Sequence, residues 1–424
     1  MHFFEESFLR SSHKKMACTS SLAEMQAYTI SYIIYLVKLR KLQNMHAIII
    51  FRKDFYRLSE TFISSQVNFL KNSFKVFLVA EKFEHENTYD FSNLKQVLLN
   101  WYESLWGRIK CKLLGSDIEP EFRLHNQFQI KRLIKAQNIK LIHAHFGTEA
   151  MRILPVAKKN KVPLVVTFHG FDASRQLNNK WYKNKLPQLF DYASKIIIVS
   201  PHMIENLNLH QWREKVLLLP YGVDVDEFKP FKREKNDKVQ LLHSGRLVNK
   251  KGVPDLIRVF AKLYHTNKNL HLTVVGDGAE LNSCRNIAVD LKVDEAISFF
   301  GAQPHCIVKK FLNDSDIFIL NSRTADDGDM EGTPVTILEA MSMGKAVIST
   351  YHAGIPNVIQ DSYNGILVPE KNNYLLENAI NDLIANEEKR KRLGIEARLT
   401  IITRFLNENN LPILRDVFNE IANN

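Results

Sequence analysis

The segment EGTPVTILE begins and ends with a glutamate, Glu331 and Glu339, with seven residues between them. Thr333 is predicted to be the N-cap of a helix and Pro334 its first residue, because proline lacks an N–H that would be unpaired there. The helix is expected to run to Gly344, a residue type common just after a helix C-terminus. A carboxylate at such a junction can bind ligand hydroxyls, and the neighbouring free N–H groups favour an anion. Acids at this place can also serve only the helix dipole.

A second group with possible chemistry is HSGRLVNKKG, which contains Arg246 and Lys251. The segment lies between a predicted strand and a predicted helix, GVPDLIRVF. Two cations beside a helix N-terminus suit a diphosphate, since arginine offers a planar fork and lysine a point charge. The alternative is a loop that carries two solvated cations.

Histidines follow two strands predicted in the first half of the chain. His169 and Asp172 in TFHGFD lie at a strand end, where they either contact a ligand or are structural. His143 and His145 share one strand face, so a metal site is one reading, but the sequence offers no third ligand. Packing is therefore the preferred interpretation of that pair.

Two further motifs carry less information. Gly276 and Gly278 in VVGDGAEL follow a strand, and such a pair marks either close approach to a ligand or a tight turn. Asp327 and Asp329 form a DxD, with which some glycosyltransferases bind a divalent ion. That motif belongs to a single-domain fold with a mixed sheet, which this chain does not resemble, so no metal site is expected.

Short apolar runs alternate with helical patterns along the chain, and the runs are continuous, as in strands buried on both faces. The first-half runs are HAIIIF, KVFLVA, KLIHAHFG, PLVVTFHG, KIIIVS and KVLLLPYG, and the second-half runs are VQLLHSG, LHLTVVGDG, AISFFG, DIFILNS and KAVISTY. The pattern predicts an α/β protein with parallel sheets. Helices are expected from about residue 373 to the end.

The polar segment 225–238 interrupts this pattern and is predicted to be a linker between two doubly wound, Rossmann-like domains. The first domain is assigned to 45–224 and the second to 239–404, and a terminal helix at 405–424 is expected to return to the first domain. Ligands of such sheets bind beyond the carboxyl ends of the strands, so the active site is expected in the cleft between the domains. Residues 1–44 lack this pattern and are interpreted either as an amphipathic extension that contacts the membrane or as untranslated sequence, with translation starting at Met45 as the favoured alternative.

The composition suggests anionic partners, since the formal net charge is +11 and the pI about 9.2. The basic residues form short groups rather than one tract, so nucleic acid is not an expected partner. The groups are Lys131, Arg132 and Lys135; Lys158, Lys159 and Lys161; and Lys180, Lys183 and Lys185. They fit either an anionic membrane surface or a solvated one. Four cysteines without a pattern favour a reduced cytoplasm, and no apolar run is long enough to span a membrane.

Together these motifs resemble the retaining nucleotide-sugar glycosyltransferases of family 4, which have the GT-B fold. The resemblance runs from about residue 45 to the C-terminus and is carried by the E-x7-E motif within EGTPVTILEAMSMGKAVIST, by GIPNVI and by NGILVPE. Gly245, Arg246, Leu247, Lys251 and Gly252 match the G-R-L…K-G element, and His169 matches the donor-site histidine. RLSETFISSQVNFL (57–70) is similar to the exopolysaccharide branch that includes colanic-acid transferases. The glycine-rich acceptor loop of other members is replaced by FRKDFYRLSE.

The resemblance implies a role for each matched residue. Glu331 would bind hydroxyls of the donor sugar, the amides of Gly332 and Thr333 would meet sugar and phosphate, and Glu339 would bind the ribose. Arg246 and Lys251, next to Gly245, would neutralise the departing diphosphate, the work that a metal does in the other fold. The implied enzyme is metal-independent and has no cofactor. Its catalytic residues would be Glu331 and His169.

The predicted function is therefore transfer of a hexose from a nucleotide-sugar, with UDP favoured, to a lipid-linked saccharide of a surface polysaccharide. The enzyme is expected in the cytoplasm, with peripheral contact at the inner membrane face. Two alternatives remain at this point, a sugar-nucleotide epimerase on the same fold and a non-catalytic scaffold that binds nucleotide. The sequence does not identify the sugar, the acceptor or the linkage.

Overall fold

The structure is a computed structural model that describes residues 45–55, 60–84, 94–99, 124–233 and 236–424. The predicted extension 1–44 lies outside the described residues. So do residues 57–59 at the start of the RLSETF motif, and Cys18 and Cys111. Among the described residues, Cys284 is a buried free thiol and Cys306 an exposed one.

Seven strands of the first half form a parallel sheet in the order β5-β3-β1-β6-β7-β8-β9, and β2 and β4 pair separately. The strands are β1 (Ala47–Phe51), β2 (Asp54–Phe55), β3 (Lys75–Ala80), β4 (Lys82–Phe83), β5 (Lys95–Leu98), β6 (Ile139–His145), β7 (Leu164–Phe168), β8 (Lys195–Ile198) and β9 (Val216–Leu218). Every residue of β1 and β7 is buried, because helices cover both faces of the sheet. The predicted strands are present, whereas β5 was not predicted because its residues are mostly exposed and polar.

Helices flank this sheet on two faces. They are α1 (Thr61–Leu70), α2 (Leu124–Gln137), α3 (Gly147–Asn160), α4 (Lys180–Tyr192) and α5 (His202–Asn206). One core joins α2, α3 and α4 to one face of the sheet. A second core on the other face contains residues of α1 and of the last helix of the chain, among them Val67 and Phe418.

The second sheet has the order β12-β11-β10-β13-β14-β15, and its strand pairs are also parallel. Its strands are β10 (Val239–Ser244), β11 (Leu270–Val275), β12 (Ile297–Phe299), β13 (Ile317–Ile319), β14 (Ala346–Thr350) and β15 (Ile366–Val368). Its helices are α6 (Val253–Thr266), α7 (Leu281–Asp290), α8 (His305–Asp314), α9 (Val335–Ser342), α10 (Asn373–Ala385) and α11 (Glu387–Arg404), before α12 (Asn407–Asn423). Both sheets have the Rossmann strand order, so the predicted two-domain α/β fold is confirmed.

The chain crosses from one domain to the other twice, and the two crossings lie side by side. Val223 lies beside Leu406, and the Val223 N–H donates to the Phe405 carbonyl at 2.8 Å. Beyond this point α12 packs on the first sheet, where the Phe418 ring contacts His143. The segment predicted as a linker is partly packed, since Phe228 is buried and its carbonyl accepts a hydrogen bond from Ser342. No helix among the described residues is long and apolar enough to cross a membrane.

Candidate active site

A cleft of about 930 Å³ lies between the carboxyl ends of the two sheets. The first sheet contributes residues that follow β1, β6 and β7, and the second contributes those that follow β10, β11 and β13. The structure brings every candidate site residue from the sequence to its walls: His169, Gly245, Arg246, Lys251, Glu331, Gly332, Thr333 and Glu339. Their roles toward a ligand remain predictions.

Glu331 is a buried carboxylate held by a buried ammonium group. Its Oε1 lies 2.7 Å from Nζ of Lys251 and accepts a longer hydrogen bond from Ser322. Burial favours a raised pKa for Glu331, but the positive charges of Lys251 and Lys250 outweigh it and hold that pKa well below its usual range. Burial lowers the pKa of Lys251, an effect that Glu331 opposes. The cleft therefore contains a fixed negative charge beside a fixed positive one.

Lys250 is a further buried cation that the sequence analysis did not select. Its Nζ lies 3.0 Å from Asp329 and donates to the Met330 carbonyl at 3.1 Å. Asp327 forms its ion pair with Arg175 of the first domain at 3.0 Å. The two carboxylates of the DxD segment thus neutralise separate cations, and they fix the loop that precedes Glu331. In the described part of the chain, no group of three or more His, Cys, Asp and Glu residues could hold a metal ion.

The helix after Glu331 begins one residue later than predicted. Pro334 is at the N-cap and α9 starts at Val335, so the prediction of Thr333 as the cap is wrong. The Thr333 hydroxyl instead donates to the Val199 carbonyl of the first domain at 2.9 Å. Gly344 does follow the helix, with φ of 66°, as predicted.

The backbones of the two domains touch where the loop after β7 meets the loop that contains Glu331 and Gly332. Gly170 has φ of 131°, and a Cβ there would lie 2.7 Å from the backbone nitrogen of Gly332. A Cβ on Gly332 would lie 2.3 Å from the His169 carbonyl. Both positions need glycine because any side chain would separate the two walls of the cleft.

Arg246 differs from Lys251 in its surroundings. It is exposed at the cleft wall, in the loop after β10. The glycines of the GDG turn lie against the same loop, since a Cβ on Gly276 would fall 1.8 Å from the Gly245 carbonyl and one on Gly278 would fall 2.4 Å from that of Leu247. Gly276 and Gly278 therefore let two segments of the protein pack closely against each other. Close approach to a ligand is not needed to explain these glycines.

Glu339 has a partner that the sequence did not indicate. Its Oε1 lies 2.7 Å from Nε2 of His305, and the other ring nitrogen lies 3.5 Å from Glu227. Burial favours a lower pKa for His305, but the two carboxylates raise it to about 10. His305 is therefore an imidazolium at neutral pH and adds a fourth cation to the second-domain wall of the cleft, after Arg246, Lys250 and Lys251. A lone histidine at a helix start carries no sequence signal for this role.

The His169 ring is fully engaged inside the protein. Its Nδ1 lies 2.5 Å from the Tyr221 hydroxyl and its Nε2 lies 3.2 Å from His145. Burial lowers the pKa of His169 well below its usual value, so the ring is neutral. The ring has no nitrogen free for a ligand, although its carbonyl lies beside Gly332.

Asp172 orders the loop that carries His169. Its Oδ1 accepts hydrogen bonds from the N–H groups of His169 and Gly170 at 2.9 and 3.1 Å, and its Oδ2 accepts one from Gly147 at 2.7 Å. Burial raises its pKa to about 6, against the effect of these hydrogen bonds. The side chain is wholly buried and serves the backbone rather than a ligand.

The histidine pair on β6 is part of the core. His143 Nε2 lies 2.8 Å from the Thr167 hydroxyl, and burial lowers the pKa of His143 to about 3. His145 contacts the rings of His143 and His169. Packing, the preferred interpretation of this pair, agrees with the geometry.

Comparisons with known proteins agree with this architecture. A family model described as Glycosyltransferase Family 4 matches residues 69–227, and one described as Glycosyl transferases group 1 matches residues 224–400. The chain is 28% identical over 274 residues to the amylovoran biosynthesis glycosyltransferase AmsK of Erwinia amylovora, a match that covers 64% of this chain and 67% of AmsK. It is 29% identical over 231 residues to the putative colanic acid biosynthesis glycosyltransferase WcaL of Escherichia coli (strain K12), covering 54% and 57% of the two chains.

A similar fold occurs among solved structures. The structure of Anabaena HepE in complex with UDP superimposes with a TM-score of 0.72 at 16% identity, covering 89% of this chain and 100% of HepE. At that identity the similarity concerns the fold alone.

Proposed function

The chain belongs to the family 4 glycosyltransferases with the GT-B fold, and we propose that it is a retaining, metal-independent hexosyltransferase that uses a nucleotide-sugar. The observation that carries the proposal is the buried Glu331–Lys251 ion pair, with Arg246 exposed beside it at the donor wall of the cleft. A UDP-sugar is the favoured donor. A role in exopolysaccharide biosynthesis is supported by the names of AmsK and WcaL, which refer to amylovoran and colanic acid. The acceptor that we propose is a lipid-linked saccharide.

The charges of the cleft suit departure of a diphosphate. Arg246 and Lys251 stabilise the negative charge that develops on the leaving group, and Glu331 binds sugar hydroxyls away from the anomeric carbon. Glu339 and its partner His305 bind the ribose side of the nucleotide. Lysine and arginine side chains supply the positive charge, so the reaction needs no metal ion.

Four acids of the first domain, all among the residues that the structure describes, support retention. An inverting enzyme needs a base opposite the leaving group. Asp172 is buried and accepts three backbone hydrogen bonds, while Glu60 and Glu149 both pair with Arg52. Glu84, which also lines the cleft, pairs with Lys82. With these acids engaged, we expect the acceptor to attack from the side of the departing diphosphate, whose oxygen takes the proton.

Purified protein and a panel of nucleotide-sugars in the presence of EDTA test this function. The true donor is expected to raise the melting temperature, because a ligand at 100 times its Kd stabilises a protein by about 2.7 kcal/mol. UDP release is expected only when a lipid-linked saccharide is added. Conversion of the nucleotide-sugar into an isomer without acceptor would favour an epimerase. Binding without turnover would favour a scaffold. Activity that only manganese restores would favour a metal site at Asp327 and Asp329.

A basic surface on the first domain is the proposed contact with the cytoplasmic membrane face. It consists of the neighbouring helices α2, α3 and α4 with the residue that follows α3, and its basic residues are Lys131, Arg132, Lys135, Lys158, Lys159, Lys161, Lys180, Lys183 and Lys185. Phe128, 62% exposed, lies about one turn before Lys131 on α2. Each cation near an anionic bilayer contributes about 1 kcal/mol, and an exposed aromatic ring suits its interface.

Cosedimentation with phosphatidylglycerol vesicles checks the membrane contact. The wild-type protein is expected to bind these vesicles but not phosphatidylcholine vesicles, and adding salt should release it. The triple variant Lys131→Glu, Arg132→Glu and Lys135→Glu should bind much less. Unchanged binding by that variant would place the contact elsewhere.

A further inference from the structure

The side chains of His352 and Glu370 are hydrogen-bonded to each other, and His352 is hydrogen-bonded to the backbone of Glu331. The Glu331 N–H donates to Nε2 of His352 at 3.0 Å. Nδ1 of the same ring lies 2.6 Å from Oε1 of Glu370, and Oε2 of Glu370 accepts the Thr324 N–H at 2.8 Å. His352 is 1% exposed. None of the predicted donor contacts uses either side chain.

The sheet explains why these residues meet. His352 follows β14 and Glu370 follows β15, and the two strands pair in parallel, so their carboxyl ends are adjacent. Thr324 and Glu331 belong to the loop that leaves β13, the next strand of the sheet. Three consecutive strands therefore present their ends to the same loop.

The hydrogen bonds of the His352 ring fix one of its two tautomers. A carboxylate only accepts hydrogen bonds, so Glu370 requires a proton on Nδ1. Burial favours a raised pKa for Glu370, but its bonds to Thr324 and His352 lower that pKa, which keeps the group ionised. With Nδ1 protonated, the neutral ring has its lone pair on Nε2, which faces the Glu331 N–H.

We propose that His352 and Glu370 are positioning residues for Glu331: Glu370 holds His352 in its Nδ1–H tautomer, and Nε2 then fixes the peptide group of Glu331. This inference rests on the proposed role of Glu331 in donor binding. The peptide orientation aims the carboxylate at Lys251 and places the amides of Gly332 and Thr333 at the cleft. The other tautomer would set two N–H donors against each other and move the loop.

The variant Glu370→Gln tests the tautomer directly. Its amide oxygen can still accept the Thr324 N–H, but its NH₂ group would donate to Nδ1 and drive the His352 proton to Nε2. A shift of about 1 Å at the reacting groups costs about 10²-fold in rate, so we expect kcat to fall about that far with little change in UDP affinity. His352→Leu, which removes the acceptor, should have a similar effect.

Rescue by a conservative variant separates positioning from simple packing. His352→Gln carries an amide oxygen that can accept the Glu331 N–H without any tautomer, so kcat should stay within a few-fold of wild type. In the His352→Gln background, Glu370→Gln should lower kcat far less than it does in the wild-type protein. His271→Gln is the matched control, because His271 is a half-buried histidine bonded to Ser298 away from the cleft.

Two spectroscopic measurements decide the inference even if transfer itself is never observed. Long-range ¹H–¹⁵N spectra of histidine-labelled protein should show an Nδ1–H tautomer for His352 in wild type and an Nε2–H tautomer in Glu370→Gln. The Glu331 amide should exchange slowly with solvent in wild type and faster in Glu370→Gln, with slow exchange restored by adding His352→Gln. An unchanged tautomer in Glu370→Gln, or equal costs of that variant in both backgrounds, would overturn the inference.

Discussion

Glu331→Gln is expected to lower kcat about 10³-fold while UDP binding changes only slightly. Loss of one preorganised charged contact in a transition state costs about 10²- to 10³-fold, and Glu331 is desolvated, where such contacts are strongest. The glutamine has nearly the same shape and can still accept a hydrogen bond from Lys251, but it removes the negative charge that the proposal assigns to the donor sugar. Steady-state kinetics and calorimetry with UDP measure the two effects.

A folding defect has to be separated from this loss. Removing one member of a buried ion pair can cost about 3–5 kcal/mol of stability, so the melting temperature of Glu331→Gln must be recorded. Glu81→Gln is a suitable comparison, because Glu81 is a buried acid paired with Arg152 in the first domain and does not line the cleft. Near-normal turnover by folded Glu331→Gln would remove this residue from the mechanism.

Lys251→Ala and Arg246→Ala are each expected to lower kcat by about 10²- to 10³-fold, because both would lose a charge that stabilises the leaving diphosphate. Their stabilities should differ. Lys251→Ala leaves the buried Glu331 carboxylate without its 2.7 Å partner, and the expected loss is about 3–5 kcal/mol, whereas Arg246 is exposed and its removal should leave the melting temperature unchanged.

The double variant Lys251→Ala/Glu331→Gln measures how strongly Lys251 and Glu331 depend on each other for stability. Because the glutamine removes the unpaired charge, the double variant should be more stable than Lys251→Ala alone. Thermal unfolding of the four proteins of this cycle gives the coupling energy. Additive losses of stability would mean that the two side chains do not form the pair seen in the structure.

The sequence indicated the fold because its strands are continuous buried runs. AIIIF and KVFLVA could not be amphipathic helices at that length, and their alternation with helical patterns predicted parallel sheets. The edge strands β5 and β15 were missed because both are short, and β5 is also largely exposed. In a parallel sheet the polar residues that follow neighbouring strands converge, so Arg246, Lys251 and Glu331 could be grouped before their distances were known.

The contacts between these residues could not be read from the sequence. His305 and His352 are single histidines that become meaningful only because folding brings a carboxylate to each of them. Lys250 and Lys251 are adjacent in the chain, yet each has its shortest ion pair with a different acid. The Thr333 cap was mispredicted since its hydroxyl has a competing partner, the Val199 carbonyl, which belongs to the other domain.

The anomeric configuration of the product tests the central claim most directly. In the proposed mechanism the acceptor attacks from the same face that the diphosphate leaves. The reaction would be run with an α-linked nucleotide-sugar and its lipid-linked acceptor in EDTA, and the new linkage examined by proton NMR. We predict an α-glycoside. A β-glycoside would show that a base acts on the opposite face, and it would contradict the retaining mechanism.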